Sequence, residues 1–356
     1  MTHVLDTELL SADDVLIVPS LGVLGSRSEA QLQPFLYSAP MDTVTGYSLT
    51  KELVEQGHMA VVCRNLPTEE LLKCIKDFGS HPRVFFAIST CREWLKLFID
   101  TLLAQGVDQP INVAIDVAHG DMLKAHELAA YLRELGICRH IMSGSICTGE
   151  AAERAVRAGC SHLRIGVGPG SMCTTRIKTG CGYPQLSAVY RIHRYLESLE
   201  LRTDVELVAD GGVRTPGDAA KYLCAGADGI MMGKNFGRAI ESVGWEHDGW
   251  QAPDLNGVVT FPLPEPEPLY AKTLRGHASA SFQRAHGKKS ACPEGASTRI
   301  EWDGTELSDV VGEFEAGLTS TISYAGLQSL ADLGPDTTTM VKITSTTLLE
   351  NMPHGA

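Results

Sequence analysis

Eight short apolar runs recur along the chain at Phe35–Ala39, Met59–Cys63, Val84–Ser89, Ile111–Val117, His140–Ser143, His162–Gly166, Glu206–Ala209 and Gly229–Met232. Each has the length of a buried strand and is too short for a core helix. Between them, Thr68–Phe78, Arg92–Ala104, Met122–Leu135, Gly149–Ala158, Leu186–Leu199 and Gly217–Ala225 place apolar residues at three- and four-residue intervals, the pattern of helices burying one face. Gly57, Gly79, Gly106, Gly136, Gly159 and Gly226 stand where those helices should stop, as left-handed C-caps would. Strands roughly 22 to 30 residues apart are βα units. Eight in series predict a single-domain α/β fold, a closed (β/α)8 TIM barrel. A doubly wound open sheet shares this period, and the count of eight favours the barrel.

A chain of 356 residues that is 44% hydrophobic and 21% charged has ample material for a core, in one large domain or two ordinary ones. The net charge of −13, with no long basic block, argues against a nucleic-acid surface, so an anionic substrate would need a local positive pocket. The first residues, MTHVLDTELLSADD, lack the basic and apolar regions of a signal peptide, and no run approaches a membrane span. The ten cysteines show neither C-x-x-C pairs nor zinc-type spacing, so a reducing cytoplasm is expected rather than a disulfide framework.

Barrel enzymes build their sites from loops at the C-terminal ends of the strands. The sixth run feeds such a loop, GVGPGSMCTTRIKTGCGYPQ (166–185), whose glycines allow close backbone approach to an anion or cation and which carries Cys173. A thiol beside N–H-rich and basic groups can ionise and act as a nucleophile. The seventh run ends in Asp210-Gly211-Gly212 and the eighth in Gly233-Lys234. Phosphates commonly bind after strands seven and eight. Gly211, Gly212 and Gly233 could therefore present backbone N–H groups to a phosphate, Ser171 a hydroxyl, and Asp210 an acceptor for a ribose. Each glycine alone would more often only shape a tight turn, and three converging on one mouth favour phosphate.

The segments SAPMDTVT (38–45), IDVAHG (115–120), GVGPGSMCTTRIKTGCGYPQLSAV (166–189), ADGGVRTPGDAAK (209–221), MMG (231–233), LRGHAS (274–279), PEG (293–295) and GLTSTISYAG (317–326) closely resemble the inosine-monophosphate dehydrogenase and guanosine-monophosphate reductase superfamily. The resemblance spans nearly the whole chain. It implies a barrel, usually tetrameric, that holds a purine nucleoside monophosphate covalently through the loop cysteine. Family dehydrogenases usually carry a CBS pair after the second strand, whereas here Asn65 leads directly into a helix. Over residues 1–356 the expectation is thus one barrel domain with no inserted CBS pair, a mobile flap around 262–300 and a C-terminal segment, 301–356. PLPEPEP (262–268) reads as an extended spacer into the flap, and RAHGKK (284–289) as a basic stretch on it.

The dehydrogenase activates water with an Arg-Tyr pair in a flap motif like RYFQ, and the matching stretch here, Ala280-Ser281-Phe282-Gln283, lacks the pair. The loop at 173–189 and Ser26-Arg27-Ser28-Glu29 instead match the reductase. That likeness implies NADPH-dependent deamination of GMP to IMP through a thioimidate on Cys173, with Thr175 and Glu294 acting on the departing amine. The alternatives are IMP dehydrogenase with NAD, a divergent enzyme for a deoxy or base-modified purine monophosphate, and a catalytically weak nucleotide-binding barrel. By resemblance Met41 lies beneath the purine, Gly276 belongs to the nucleotide site, Gly166 and Asp116 lie near the nicotinamide end, and the carbonyls of Gly168, Gly170 and Cys173 could hold K+. A loop-capping role for Asp116 and a core role for Met41 remain alternatives. Cys181 reads as a small buried hydrophobe. Lys234, Leu274, His277, Ser145 and Ala296 depart from the family pattern around phosphate, base and cofactor.

Overall fold

All eight apolar runs become parallel strands of one sheet: β1 (Leu36–Ser38), β2 (Ala60–Val62), β3 (Val84–Ile88), β4 (Ile111–Asp116), β5 (Cys138–Ile146), β6 (His162–Ile165), β7 (Glu206–Asp210) and β8 (Gly229–Met232). The computed structural model describes residues 7–107, 109–247, 270–287 and 290–350. Each strand pairs with the next from β2 onward, and β8 returns to pair with β1. The last seam closes just before β2, where the Met59 amide donates to the Leu36 carbonyl at 3.0 Å and the Ser38 amide to the Met59 carbonyl at 3.1 Å. An open sheet is thereby excluded.

Period-two alternation sorts the strand residues into two layers. Tyr37, Val61, Phe85, Ala114, Met142, Val208 and Met231 pack inside the barrel, and Leu36, Val62, Phe86, Ile115, Ile165 and Ile230 pack outward beneath the helices. Burial on both faces explains why the strands read as continuous apolar runs. At the barrel's N-terminal end, the Tyr37 hydroxyl donates to Glu206 Oε2 at 2.8 Å and His162 Nε2 lies 3.3 Å from the same oxygen.

Among the described residues the longer helices are Tyr47–Glu55, Thr68–Phe78, Arg92–Ala104, Leu123–Leu135, Gly149–Arg157, Gln185–Ser198, Pro216–Cys224 and Leu307–Tyr324. Gly57, Gly106, Gly136, Gly159 and Gly226 follow five helices with positive φ, between 66° and 103°. Gly79 differs. Its φ is −51°, and a Cβ there would lie 2.6 Å from the Ile75 carbonyl oxygen and 2.7 Å from Val107 Cγ2, so glycine serves close packing rather than a left-handed turn. Between β2 and β3 stands the helix Thr68–Phe78 and no inserted domain.

Outside the barrel, Val15–Ile17 pairs antiparallel with Met340–Lys342. Glu246–His247, Tyr270–Arg275 and Ser297–Glu301 form a second antiparallel sheet, and the helix Ala280–Ala285 lies between its last two strands. The spacer at 262–268 and Lys288-Lys289 lie outside the described residues. No helix among the described residues is long and apolar enough to cross a membrane.

Candidate active site

β6 passes close to β7 before its loop begins. Gly166 is buried with φ 143°, and a Cβ there would sit 2.3 Å from the Asp210 carbonyl oxygen. The chain turns at Gly168 (φ 83°), and the Cys173 amide donates to the Gly170 carbonyl at 2.9 Å. Half-buried Cys173 donates its thiol to Thr175 Oγ1 at 3.2 Å.

The loop is then bonded to a segment far along the chain. Thr174 donates its amide to the Glu294 carbonyl at 2.8 Å, and Ala296 donates its amide to the Met172 carbonyl at 2.8 Å. The Glu294 amide reaches the Ala278 carbonyl at 3.1 Å, and the Gly276 amide reaches the Ala296 carbonyl at 3.1 Å. Cys173, Thr175, Glu294 and Gly276, predicted from separate stretches, thus meet in one backbone framework.

The phosphate-type turns adjoin it. Gly211 (φ 88°) packs so tightly on the cysteine loop that a Cβ would lie 2.8 Å from the Gly170 nitrogen, and Gly212 has φ 77°. Both conformations suit glycine and leave backbone N–H groups available to an anion. Asn235 Nδ2 donates to the Val213 carbonyl at 3.4 Å, joining the loops after β7 and β8. Half-buried Met41 lies against Gly233, where a Cβ would be 2.9 Å from its sulfur. Ser171 and Lys234 are exposed, and Lys234 makes no ion pair among the described residues.

A buried ion network crosses the mouth. Residues two apart on a strand share a face, so Asp116 follows Ala114, Asp210 follows Val208, and Arg164 follows His162 on the barrel's inner side. Arg164 bridges both carboxylates: Nη1 is 3.0 Å from Asp116 Oδ1, and Nε and Nη2 are 3.2 and 3.1 Å from Asp210 Oδ2. Asp116 Oδ2 also faces Arg64 Nε at 3.5 Å and His277 Nδ1 at 3.4 Å. Burial alone would raise the Asp116 pKa, but His277, Arg164 and Arg64 hold it well below the usual carboxylate range. For Asp210, burial pushes the carboxyl up and Arg164 offsets this in part. Arg164 was not foreseen as a site residue. Its signal was a lone arginine on the inner face of an apolar strand.

Arg176 supplies another positive charge beneath the cysteine loop. Its Nε donates to the Val167 carbonyl at 3.0 Å and its Nη2 to the Tyr183 carbonyl, and it lies so close to Gly168 that a Cβ there would meet its Cγ at 2.5 Å. A monovalent cation at Gly168, Gly170 and Cys173 would share the loop with this guanidinium, and the Gly170 carbonyl already accepts from Cys173. Cys181 is exposed, contrary to expectation, because it follows the short helix Thr175–Thr179 on the outside of the loop. Of the other departures, Leu274 is fully buried against Gly237, the Ser145 carbonyl accepts from the Gly120 amide at 2.8 Å, and Ala296 holds Met172 as above.

The family model for the IMP dehydrogenase / GMP reductase domain matches residues 10–354. The chain belongs to this family. Among relatives, an inosine-5'-monophosphate dehydrogenase of Chlorobaculum tepidum is 35% identical over 260 residues, covering 72% of this chain and 49% of that protein. An inosine-5'-monophosphate dehydrogenase of Borreliella burgdorferi is 26% identical over 99% of this chain and 98% of its own length. A GMP reductase of Klebsiella pneumoniae is 31% identical over 92% of this chain and 93% of its own. The chain spans about half the length of the Chlorobaculum relatives it matches. Membership of this family agrees with the eight-stranded barrel described above.

Proposed function

We propose that the protein catalyses NADPH-dependent reductive deamination of a guanine nucleotide, GMP to IMP and ammonia. The observation that carries this reading is the pairing of a reductase-type loop at 173–189 with a flap helix bearing Ala280 and Ser281 where a dehydrogenase keeps its water-activating Arg-Tyr pair. The neighbouring Phe282 packs between His277, tilted at a centroid distance of 4.7 Å, and His286, stacked at 4.1 Å. Neither the Ala280 methyl nor the Ser281 hydroxyl supplies a base that activates water.

In this reading the Cys173 thiolate adds to C2 of the purine, and the 2-amino group takes up a proton and leaves as ammonia. Thr175, in contact with the thiol, and Glu294, tied to the cysteine loop through Thr174, carry that proton. A thioimidate on Cys173 remains, which divides a difficult substitution into two steps. A reduced nicotinamide, when bound, would supply the hydride to C2. Cys173 is then expelled as thiolate, leaving IMP.

Gly211, Gly212, Gly233, Ser171 and Lys234 bind the phosphate, Met41 supports the base, and Asp210 keeps Oδ1 for the ribose because Arg164 takes Oδ2. For the cofactor, the buried Asn65 Nδ2 beside Arg64 has no hydrogen-bond partner, which fits a polar ligand at that edge. Asp116 contributes there through its network, and Gly166 through its close approach to β7. Potassium has no step here, since Arg176 already places charge on the loop. The described part of the flap, 270–287 and 290–300, closes over the nucleotide, and the assembly is a homotetramer by resemblance. Lys234, His277, Leu274 and Ser145 favour a second reading, the same chemistry on a deoxy or base-modified purine monophosphate. Acid quenching with GMP, followed by mass spectrometry of the Cys173 peptide, tests the first. An adduct of GMP less ammonia supports it, and an unmodified Cys173 under turnover conditions contradicts it.

A further inference from the structure

Cys63 follows β2 at the barrel mouth and is fully buried. Its sulfur lies 3.5 Å from His277 Nε2, the other ring nitrogen of His277 lies 3.4 Å from Asp116 Oδ2, and the Asn65 amide donates to the sulfur at 3.4 Å. A thiol, an imidazole and a carboxylate from the end of β2, the end of β4 and the flap segment therefore stand in line. This thiol is separate from Cys173, and no step proposed above uses it.

The surrounding charges define its state. Asp116 and Asp210 face Arg64 and Arg164, so two buried carboxylates are already matched by two guanidiniums. A protonated imidazole added to this balanced set requires one more negative group, because an uncompensated buried charge is costly. Cys63 is the group in contact that can supply it. Burial alone would lower the His277 pKa, but the contacts with Asp116 and Cys63 raise it to about 10.

The position of His277 gives the pair a consequence. Its neighbours Gly276 and Ala278 bond through their backbones to Ala296 and Glu294, and those residues hold Met172 and Thr174 on either side of Cys173. Phe282 packs against the ring at 4.7 Å and fixes it laterally. We propose that Cys63 passes its proton to His277 and that the resulting thiolate–imidazolium pair, oriented by Asp116, clamps the segment 276–279 to the barrel mouth and so positions Glu294 against Cys173. The step moves one proton from Sγ to Nε2 and breaks no other bond. Cys63 and His277 are positioning residues, and their role rests on reading Cys173 and Glu294 as the reacting pair.

The test uses the full chain. In a Cys173→Ala background at neutral pH, ultraviolet difference spectra should contain one thiolate absorbance that disappears on Cys63→Ser and equally on His277→Gln. With Cys173 intact, His277→Gln should lower kcat roughly 10- to 100-fold, as a small misplacement of reacting groups does. The nucleotide KM should change little, and adding Cys63→Ser should lower kcat no further. Hydrogen exchange of the Gly276, Glu294 and Ala296 amides should quicken in either single variant. A thiolate signal that is absent, or that survives His277→Gln, overturns the pair. Unchanged exchange and kcat in a folded Cys63→Ser protein overturn the clamp. Should no guanine nucleotide be turned over, the functional reading fails, while the spectra and exchange still decide the clamp.

Discussion

Thr174 donates its amide to the carbonyl of Glu294 across 2.8 Å, so the residue following the loop thiol is fixed to the carboxylic acid assigned to the leaving amine. Replacing Glu294 with Gln keeps this backbone bond and removes the acid. Glu294→Gln is expected to lower kcat roughly 10²- to 10⁴-fold, the range for a lost general acid–base group, with nucleotide KM nearly unchanged. Steady-state kinetics on both variables check it. An equal rise in KM would place Glu294 in binding instead.

Arg164 holds Asp116 and Asp210 together in the barrel interior. Arg164→Met leaves two buried carboxylates without their shared partner, a change that costs about 3–5 kcal/mol when a buried pair is broken. Denaturant unfolding at neutral pH measures it. Double substitution with Asp210→Asn should recover part of the loss, because one of the stranded charges is then gone.

The pH dependence of stability isolates His277. Its imidazole pKa rises from 6.5 to about 10, after burial, which lowers it, is outweighed by Asp116 and Cys63. A raised folded pKa stabilises most below the unfolded value and loses that contribution as pH climbs through the folded one. Because the proton on His277 comes from Cys63, which acid would reprotonate, the difference in unfolding free energy between the natural protein and His277→Gln should be largest near neutral pH and fade as pH passes about 10. A pH-independent difference would contradict it.

How far the sequence reaches can be judged from particular residues. The strands were legible because burial on both faces leaves no polar interruption, and five of six glycine stops hold because a left-handed turn is a local demand. Gly79 misled because its glycine answers a contact with Val107, which local pattern does not carry. Cys173 and the turns at Gly211 and Gly233 stood out through loop chemistry. Arg164 hid inside the apolar strand His162–Ile165, and the contact between Cys63 and His277 joins elements that are adjacent only in the folded chain.

Lys234 is exposed beside the turn that carries Gly233 and makes no ion pair among the described residues. Lys234→Ala should raise the nucleotide monophosphate KM roughly 10- to 100-fold, the worth of a hydrogen bond to a charged group, with kcat preserved. The effect should shrink as salt is added. An unchanged KM at low salt would remove Lys234 from the phosphate site.

The most direct test of the account is turnover itself: NADPH and GMP are mixed with the protein, nicotinamide absorbance is followed, and products are identified, with Cys173→Ala as control. The account predicts NADPH oxidation matched by IMP and ammonia and abolished by the substitution. No NADPH oxidation with any guanine nucleotide, or NADH formed from IMP and NAD, would contradict it.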